Sequence, residues 1–238
     1  MREKLIALSM VKGGNWKEVY HFLQQDRKLD SIDQVAAKQL VHRLTCQAIT
    51  LVDDDYPEAW RDMPRPPFVV YYQGDKALLN QKLVAIVGGK SPTAYMRDAL
   101  DRLFSQLPVD VGVVCGNEIG VERHIMEITS KRVAILGSGV DQQSGFISED
   151  LSLSELPPGK ALDLSAYYRA YHLMCELSST VCVFDLPTSD IRLKYLSHLA
   201  EIGKSILVFP DRDKASSRGG LRLVNKGANL LLNRSDML

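Results

Sequence analysis

The chain has 238 residues, 45% of them hydrophobic, with 29 basic against 29 acidic side chains and a formal net charge of zero. That length suits one large domain with a small extension, and the neutral balance excludes a long-range pull on nucleic acid or acidic membrane, so any such binding must use a local patch. The four cysteines (Cys46, Cys115, Cys175, Cys182) are widely spaced with no CxxC pair, which reads as reduced core thiols of a cytoplasmic protein rather than a zinc site or a disulfide framework.

No long apolar stretch opens the sequence, so neither a signal peptide nor a membrane span is expected. Residues 1–50 read as a small helical extension. Helices are predicted over Trp16–Leu23 and Ile32–Leu44, the second with Ile32, Val35, Ala36, Leu40 and Leu44 as its apolar stripe. Gly13-Gly14 breaks the first helix from the next, and Asn15 caps the second. The acidic run Asp53-Asp54-Asp55 reads as a solvated turn, because consecutive residues rarely converge on one metal ion. Arg65-Pro66-Pro67 forces an extended entry into the strand-like Phe68–Tyr72.

From Leu83 onward strands and helices alternate. Leu83–Val87 is an apolar run that stops at Gly88-Gly89-Lys90-Ser91, as a strand buried on both faces would. An amphipathic helix follows over Ala94–Leu107, with Tyr95, Ala99, Leu100, Leu103, Phe104 and Leu107 as its apolar face. Further strands are predicted at Val109–Cys115, Arg132–Leu136, Leu151–Leu156, Thr180–Phe184, Ser205–Phe209 and Leu230–Leu232. Helices are predicted from Asn117, as N-cap, to Ser130, over Leu164–Leu177, from Ser189, as cap, to Ile202, and over Arg218–Lys226. This alternation implies an α/β fold of the Rossmann-like, doubly wound class with a mostly parallel sheet over residues 51–238.

In such folds ligands sit beyond the carboxyl ends of the strands. The candidates are therefore Gly88, Gly89, Lys90 and Ser91, then Gly116, then Gly137, Ser138 and Gly139. Glycines admit a close backbone approach, and a helix start offers unpaired N–H groups to an anion. Gly89-Lys90-Ser91 is not a Walker A loop, because Val84 stands where that motif needs its first glycine, and no GxGxxG is present. No paired acids, GxSxG or HExxH stand out, and the five histidines lack metal-ligand spacing; the chain reads as a non-enzyme without a cofactor.

Several blocks in order resemble the DprA/Smf family of bacterial DNA-processing proteins. Tyr56-Pro57, Pro66-Pro67 and Tyr71-Tyr72-Gln73-Gly74 are similar to that family's entry segment, and Val84–Lys90 to its IAIVGSR. Gly137–Asp141 resembles LGSGLD, Ser154–Gly159 resembles SEYPPG, and Ser217–Ala228 resembles SRGTNRLIREGA. Together they cover roughly residues 50–232. The chain departs from the family where arginines give way to Ile119, Ala170 and His172, where Lys90 replaces an arginine, and where Asp190–Tyr195 replaces SGSLIT.

The resemblance implies a single-stranded DNA binder that loads a RecA-type recombinase during natural transformation and works as a homodimer in the cytoplasm, with no membrane partner. On the matching positions it implies phosphate contacts from Lys90, Arg218, Gly219 and Arg222; Arg169, which stands beside the lost arginines rather than on one of them, is a further candidate. Arg218 and Arg222 are spaced to share one helix face. Tyr167 and Tyr168, at a helix start, suit base stacking, whereas Tyr171 suits packing. Two other readings stay open: a module for a nucleotide or another phosphorylated small molecule, held by the glycine turns, and a degenerate relative that serves only as a protein-interaction module.

Overall fold

The computed structural model describes residues 1–25, 29–116, 118–142, 150–210 and 218–238. The chain divides into two compact units, Met1–Lys76 with Leu136–Ala170, and Ala77–Ile135 with Tyr171–Leu238.

The first unit begins with three helices, α1 (Arg2–Val11), α2 (Trp16–Leu23) and α3 (Gln34–His42). Five consecutive α1 residues, Leu5–Ser9, are buried, because α1 lies among α2, α3 and two strands. Gly13 and Gly14 turn the chain with φ of 61° and 75°, and the Asn15 side chain accepts the Glu18 N–H at 3.2 Å, capping α2 as its sequence implies. The stripe predicted for α3 is not what folds inward. Asp33 caps the helix by accepting from Ala36 N–H at 2.6 Å, only Ala37 of α3 is buried, and Val35 is 63% exposed. Leu40 and Leu44 of the expected stripe are half-buried, while Val35 and Ala36 face outward.

The predicted helical stretch also gives way to a strand before residue 50. β1 (Gln47–Thr50) pairs antiparallel with β2 (Val69–Gln73), and β2 pairs antiparallel with β6 (Leu151–Ser154). Between β1 and β2 runs the one-turn helix α4 (Glu58–Arg61) with the fully buried Trp60. The Tyr71 hydroxyl meets Ser9 Oγ at 3.1 Å, fastening β2 to α1. Asp53 accepts from Thr50 N–H and from Arg2, and Asp55 pairs with Lys76, so this acidic turn is engaged by neighbouring groups.

The second unit is a parallel sheet in the order β5-β4-β3-β7-β8-β9. Its strands are β3 (Lys82–Gly88), β4 (Val111–Cys115), β5 (Arg132–Leu136), β7 (Thr180–Phe184), β8 (Ile206–Val208) and β9 (Asn229–Leu230). Every residue of β4 and β7 is buried, as strands covered on both faces must be. The connecting helices are α5 (Ala94–Phe104), α6 (Val121–Ile128), α8 (Arg192–Glu201) and α9 (Arg218–Val224). The helix α7 (Leu164–Leu177) begins in the first unit and ends in the second.

From β3 the chain winds outward through β4 to β5; it then returns to β7, beside β3, and winds the other way. This is the doubly wound arrangement, and the switch point lies between β3 and β7. Leu193, Leu196 and Leu199 are buried core of α8. Three local expectations shift. Tyr95 is 46% exposed while Met96 takes the buried position in α5, whose cap is Thr93. The helix α6 starts only at Val121, after Gly120 at φ 96°; the cap expected at Asn117 lies outside the described residues. At α8 it is Asp190, not Ser189, that accepts the Arg192 N–H, at 2.9 Å.

Candidate nucleic-acid interface

At the switch point the turn after β3 is built into the protein. Gly89 N–H donates to Phe184 O at 3.0 Å, and Gly89 O accepts from Val121 N–H at 3.0 Å. A Cβ at Gly88 would overlap Val121, one at Gly89 would overlap the Asp185 carbonyl, and one at Gly116 would lie 2.9 Å from the Tyr171 ring. The space these glycines leave empty is thus filled by protein. They are needed for the close crossing of β3, α6 and the β7 exit rather than as a cradle. Asp185 itself has φ 46°, unusual for a residue with a side chain, where β7 bends out of the sheet.

Beneath these turns lies a residue that the sequence reading passed over. Arg192, in the first turn of α8, is 6% exposed, and all five of its N–H groups have partners. Nη1 donates to Glu122 Oε1 at 3.1 Å and to the Tyr171 hydroxyl at 2.9 Å. Nη2 donates to Gly88 O at 3.0 Å and to Asp190 Oδ2 at 2.8 Å, and Nε to Asp190 Oδ1 at 2.9 Å. Glu122, fully buried, also accepts from the Tyr171 hydroxyl at 2.7 Å, Gly116 N–H at 3.0 Å and Glu118 N–H at 3.3 Å.

Burial pushes the Glu122 carboxyl above the usual range, against Arg192, Tyr171 and the backbone N–H groups. Burial works equally against the Arg192 charge, but Asp190, Tyr171 and Glu122 more than offset it and raise its pKa. The cluster ties the ends of β3, β4 and α8 together. With no N–H to spare, Arg192 positions the turns and does not itself present charge to a ligand.

What the second unit presents outward is more modest. Lys90 is 61% exposed and pairs with Glu118 at 2.9 Å; Ser91 is exposed beside it. Arg218 and Arg222 are exposed on α9, and Arg222 reaches Thr188 O at 3.5 Å. Gly219 N–H donates to Leu186 O at 2.9 Å, and a Cβ there would overlap that same carbonyl, so Gly219 lets α9 sit directly on the β7 exit loop. Lys90 acts electrostatically on Asp190 of the same loop. Lys90, Arg218 and Arg222 therefore flank one loop, while Gly88, Gly89 and Gly116 lie underneath. Ile119 is 61% exposed and brings no charge to this end of the sheet.

In the first unit, Gly137, Ser138 and Gly139 form another closed turn. Gly139 N–H donates to Lys160 O at 2.8 Å, Gly137 O accepts from Asp163 N–H at 3.1 Å, and the Asp141 carboxylate accepts Gly159 N–H. Tyr167 backbone lies 2.6 Å from where a Gly137 Cβ would stand, so this glycine seats the start of α7. Tyr167 and Tyr168 are half-buried against each other, edge to face, with centroids 5.3 Å apart. Arg169 grips Glu155 through Nε at 2.8 Å and donates to Arg65 O. Burial pushes the Glu155 carboxyl up, and Arg169 opposes it. Arg169 is thus half of an ion pair, with its fork already occupied. Ala170 and Tyr171 are buried, and the Tyr171 hydroxyl is held in the arginine cluster, in line with the packing role expected of it.

Cys115, Cys175 and Cys182 are buried and Cys46 is half-buried, with no disulfide among them. No helix among the described residues is long and apolar enough to cross a membrane.

The chain is similar to known proteins over most of its length. The family model described as DNA recombination-mediator protein A matches residues 47–238. Protein Smf of Synechocystis is 26% identical over 253 aligned positions, which take in 98% of this chain; the chain spans 63% of that relative's length. DNA processing protein DprA of Streptococcus pneumoniae is 23% identical over 80% of this chain and 73% of its own. The crystal structure of the S. pneumoniae protein superposes with a TM-score of 0.77 at 19% identity, covering 98% of this chain and 91% of that one. The structure of DNA processing protein A from Helicobacter pylori, reported for its single-stranded DNA binding mode, superposes with a TM-score of 0.71 at 23% identity, covering 81% and 94%. With the doubly wound sheet in place and four-fifths of its length matched, the chain belongs to the DNA recombination-mediator protein A family, that of DprA and Smf.

Proposed function

We propose that this protein binds single-stranded DNA without catalysing a reaction, through phosphate contacts at the end of the sheet where β3 and β7 part. The observation that supports this most is the flanking of the β7 exit loop by exposed Lys90, Arg218 and Arg222, on blocks shared with a family that includes a protein reported for binding single-stranded DNA. Lysine and arginine side chains, rather than a backbone cradle, make the contacts, because the glycine turns are filled by Val121, Asp185 and Tyr171. This favours strand phosphates over a nucleotide seated in the turns.

The Arg192 cluster holds the turns rigid before DNA arrives, so little ordering cost falls on binding. The zero net charge limits affinity to this local patch. On this reading the protein acts in the cytoplasm as a homodimer, delivers the strand to a RecA-type recombinase and serves DNA uptake. Titration with a labelled dT oligonucleotide tests the DNA step: affinity that falls when Arg218 and Arg222 are both replaced by alanine supports it, and affinity indifferent to them opposes it.

A further inference from the structure

The first unit contains a cleft of about 690 Å³ that no part of the DNA reading uses. It opens where the diglycine turn before α2 faces the loop after β6 and the first turn of α7. The turn and the loop are in close register: a Cβ on Gly13 would lie 2.9 Å from Lys160 Nζ, and one on Gly14 would lie 2.8 Å from Glu155 O. The volume is that of a site for a nucleotide-sized molecule.

The electrostatics of the lining are one-sided once its internal pairs are set aside. Three acids reach the cleft: two are paired with cations, while Asp163 keeps its charge as a helix cap, leaving three cations against one carboxylate. Glu155 is held by Arg169, Glu18 by Lys12 at 3.6 Å, and Asp163 caps α7 by accepting Ala166 N–H at 2.9 Å. Among the described residues, Lys17, Lys160 and Arg65, which also line it, have no carboxylate partner. Asn15 caps only the Glu18 N–H at the start of α2, and the N–H groups of Trp16 and Lys17 have no partner among the described residues.

We infer that this cleft binds a phosphorylated anion through Lys160, Lys17 and Arg65, with the start of α2 adding its partial positive charge. Lysine ammonium groups are compact point charges that match phosphate oxygens without demanding one orientation. The aromatic wall supplies no base recognition. The Trp16 indole N–H is spent on Pro66 O at 2.8 Å, and its ring is stacked with Tyr20 at 4.9 Å and Phe68 at 5.3 Å. The site therefore reads phosphate and is indifferent to the base. The phosphate arrives either on a free nucleotide or pyrophosphate, or on a nucleic-acid strand.

The test uses the whole chain and two probes, pyrophosphate and a dT oligonucleotide, read by calorimetry and by tryptophan fluorescence. Trp16 lines the cleft whereas Trp60, the other tryptophan, is fully buried, so a fluorescence change on binding comes from Trp16. Saturable pyrophosphate binding that weakens about tenfold in Lys160→Ala, as loss of a charged hydrogen bond should cause, and that persists in Lys90→Ala, supports a free phosphorylated ligand. Oligonucleotide binding that weakens in Lys160→Ala while pyrophosphate does not bind supports a strand phosphate. If neither probe's binding responds to Lys160→Ala or Lys17→Ala, with both variants folded by circular dichroism, the inference is overturned. The DNA reading stands or falls separately, on Arg218 and Arg222.

Discussion

Arg192 donates to the backbone carbonyl of Gly88 at 3.0 Å, across 104 residues of sequence. Through this one bond the first turn of α8 holds the end of β3, and through Glu122 the same guanidinium reaches the turns after β4. The site is organised around a charge that faces inward.

That arrangement predicts a large cost when one partner is removed. Arg192→Met leaves the fully buried Glu122 carboxylate without its cation, which costs about 3–5 kcal/mol. The double variant Arg192→Met with Glu122→Gln removes the fully buried carboxylate as well, leaving only the half-buried Asp190 without its cation, and is expected to recover part of that loss. Urea unfolding of Arg192→Met, Glu122→Gln and the double variant measures both, and a double-variant loss equal to the sum of the two single losses would show that the pair is not coupled.

The switch-point glycines are expected to resist substitution for steric reasons. Gly120→Ala places a Cβ against the Gly89 carbonyl at a φ of 96°, which a residue with a side chain rarely adopts. The expected destabilisation exceeds about 1 kcal/mol. Gly159→Ala is a useful comparison: its φ is also positive, at 82°, but nothing lies within 4 Å of its Cβ position. Thermal unfolding of the two variants separates the conformational cost, common to both, from the overlap, present only in the first.

Asp190 gives the pH dependence. Burial works against its charge, but hydrogen bonds from Arg192 hold its carboxyl below the ordinary 3.8. A depressed carboxylate pKa contributes stability that is present above 3.8 and is lost as pH falls through the lower, folded value. Stability measured from pH 6 down to pH 2 is therefore expected to fall less steeply in Asp190→Asn than in the parent below about pH 4. Parallel curves would contradict the assignment.

The thiols are expected to be inert in the folded state. Burial raises the Cys46 thiol to about 11 and Cys175 to about 12, and pushes Cys182 up as well. Reaction with a thiol reagent at pH 8 is expected to be slow until denaturant is added. Fast stoichiometric labelling of the native protein would contradict the buried placement.

Much of the fold was legible because its signals are local. Thr180–Phe184 and Leu164–Leu177 lie where the apolar run and the helical spacing put them, and so does Arg132–Leu136. Local rules failed where partners lie far away. β1 is only four residues, too short to stand out in the sequence, and it is a strand because β2 pairs with it. Arg192 follows a strand in a segment that matches no family block. Its burial is decided by Glu122, 70 residues earlier, and by Tyr171. Arg169, a basic residue beside a family motif, has its fork engaged by Glu155, which the fold brings close. Charge availability depends on pairing, which periodicity does not encode.

The central claim is a side-chain phosphate contact at the sheet end, and its most direct measurement is fluorescence anisotropy of a labelled dT oligonucleotide across several salt concentrations. The account predicts saturable binding with log affinity falling linearly against log salt, and a slope reduced by about 0.7 for each of Lys90, Arg218 and Arg222 replaced by alanine. Absence of binding at low salt, or binding with a slope that none of the three substitutions changes, would contradict it.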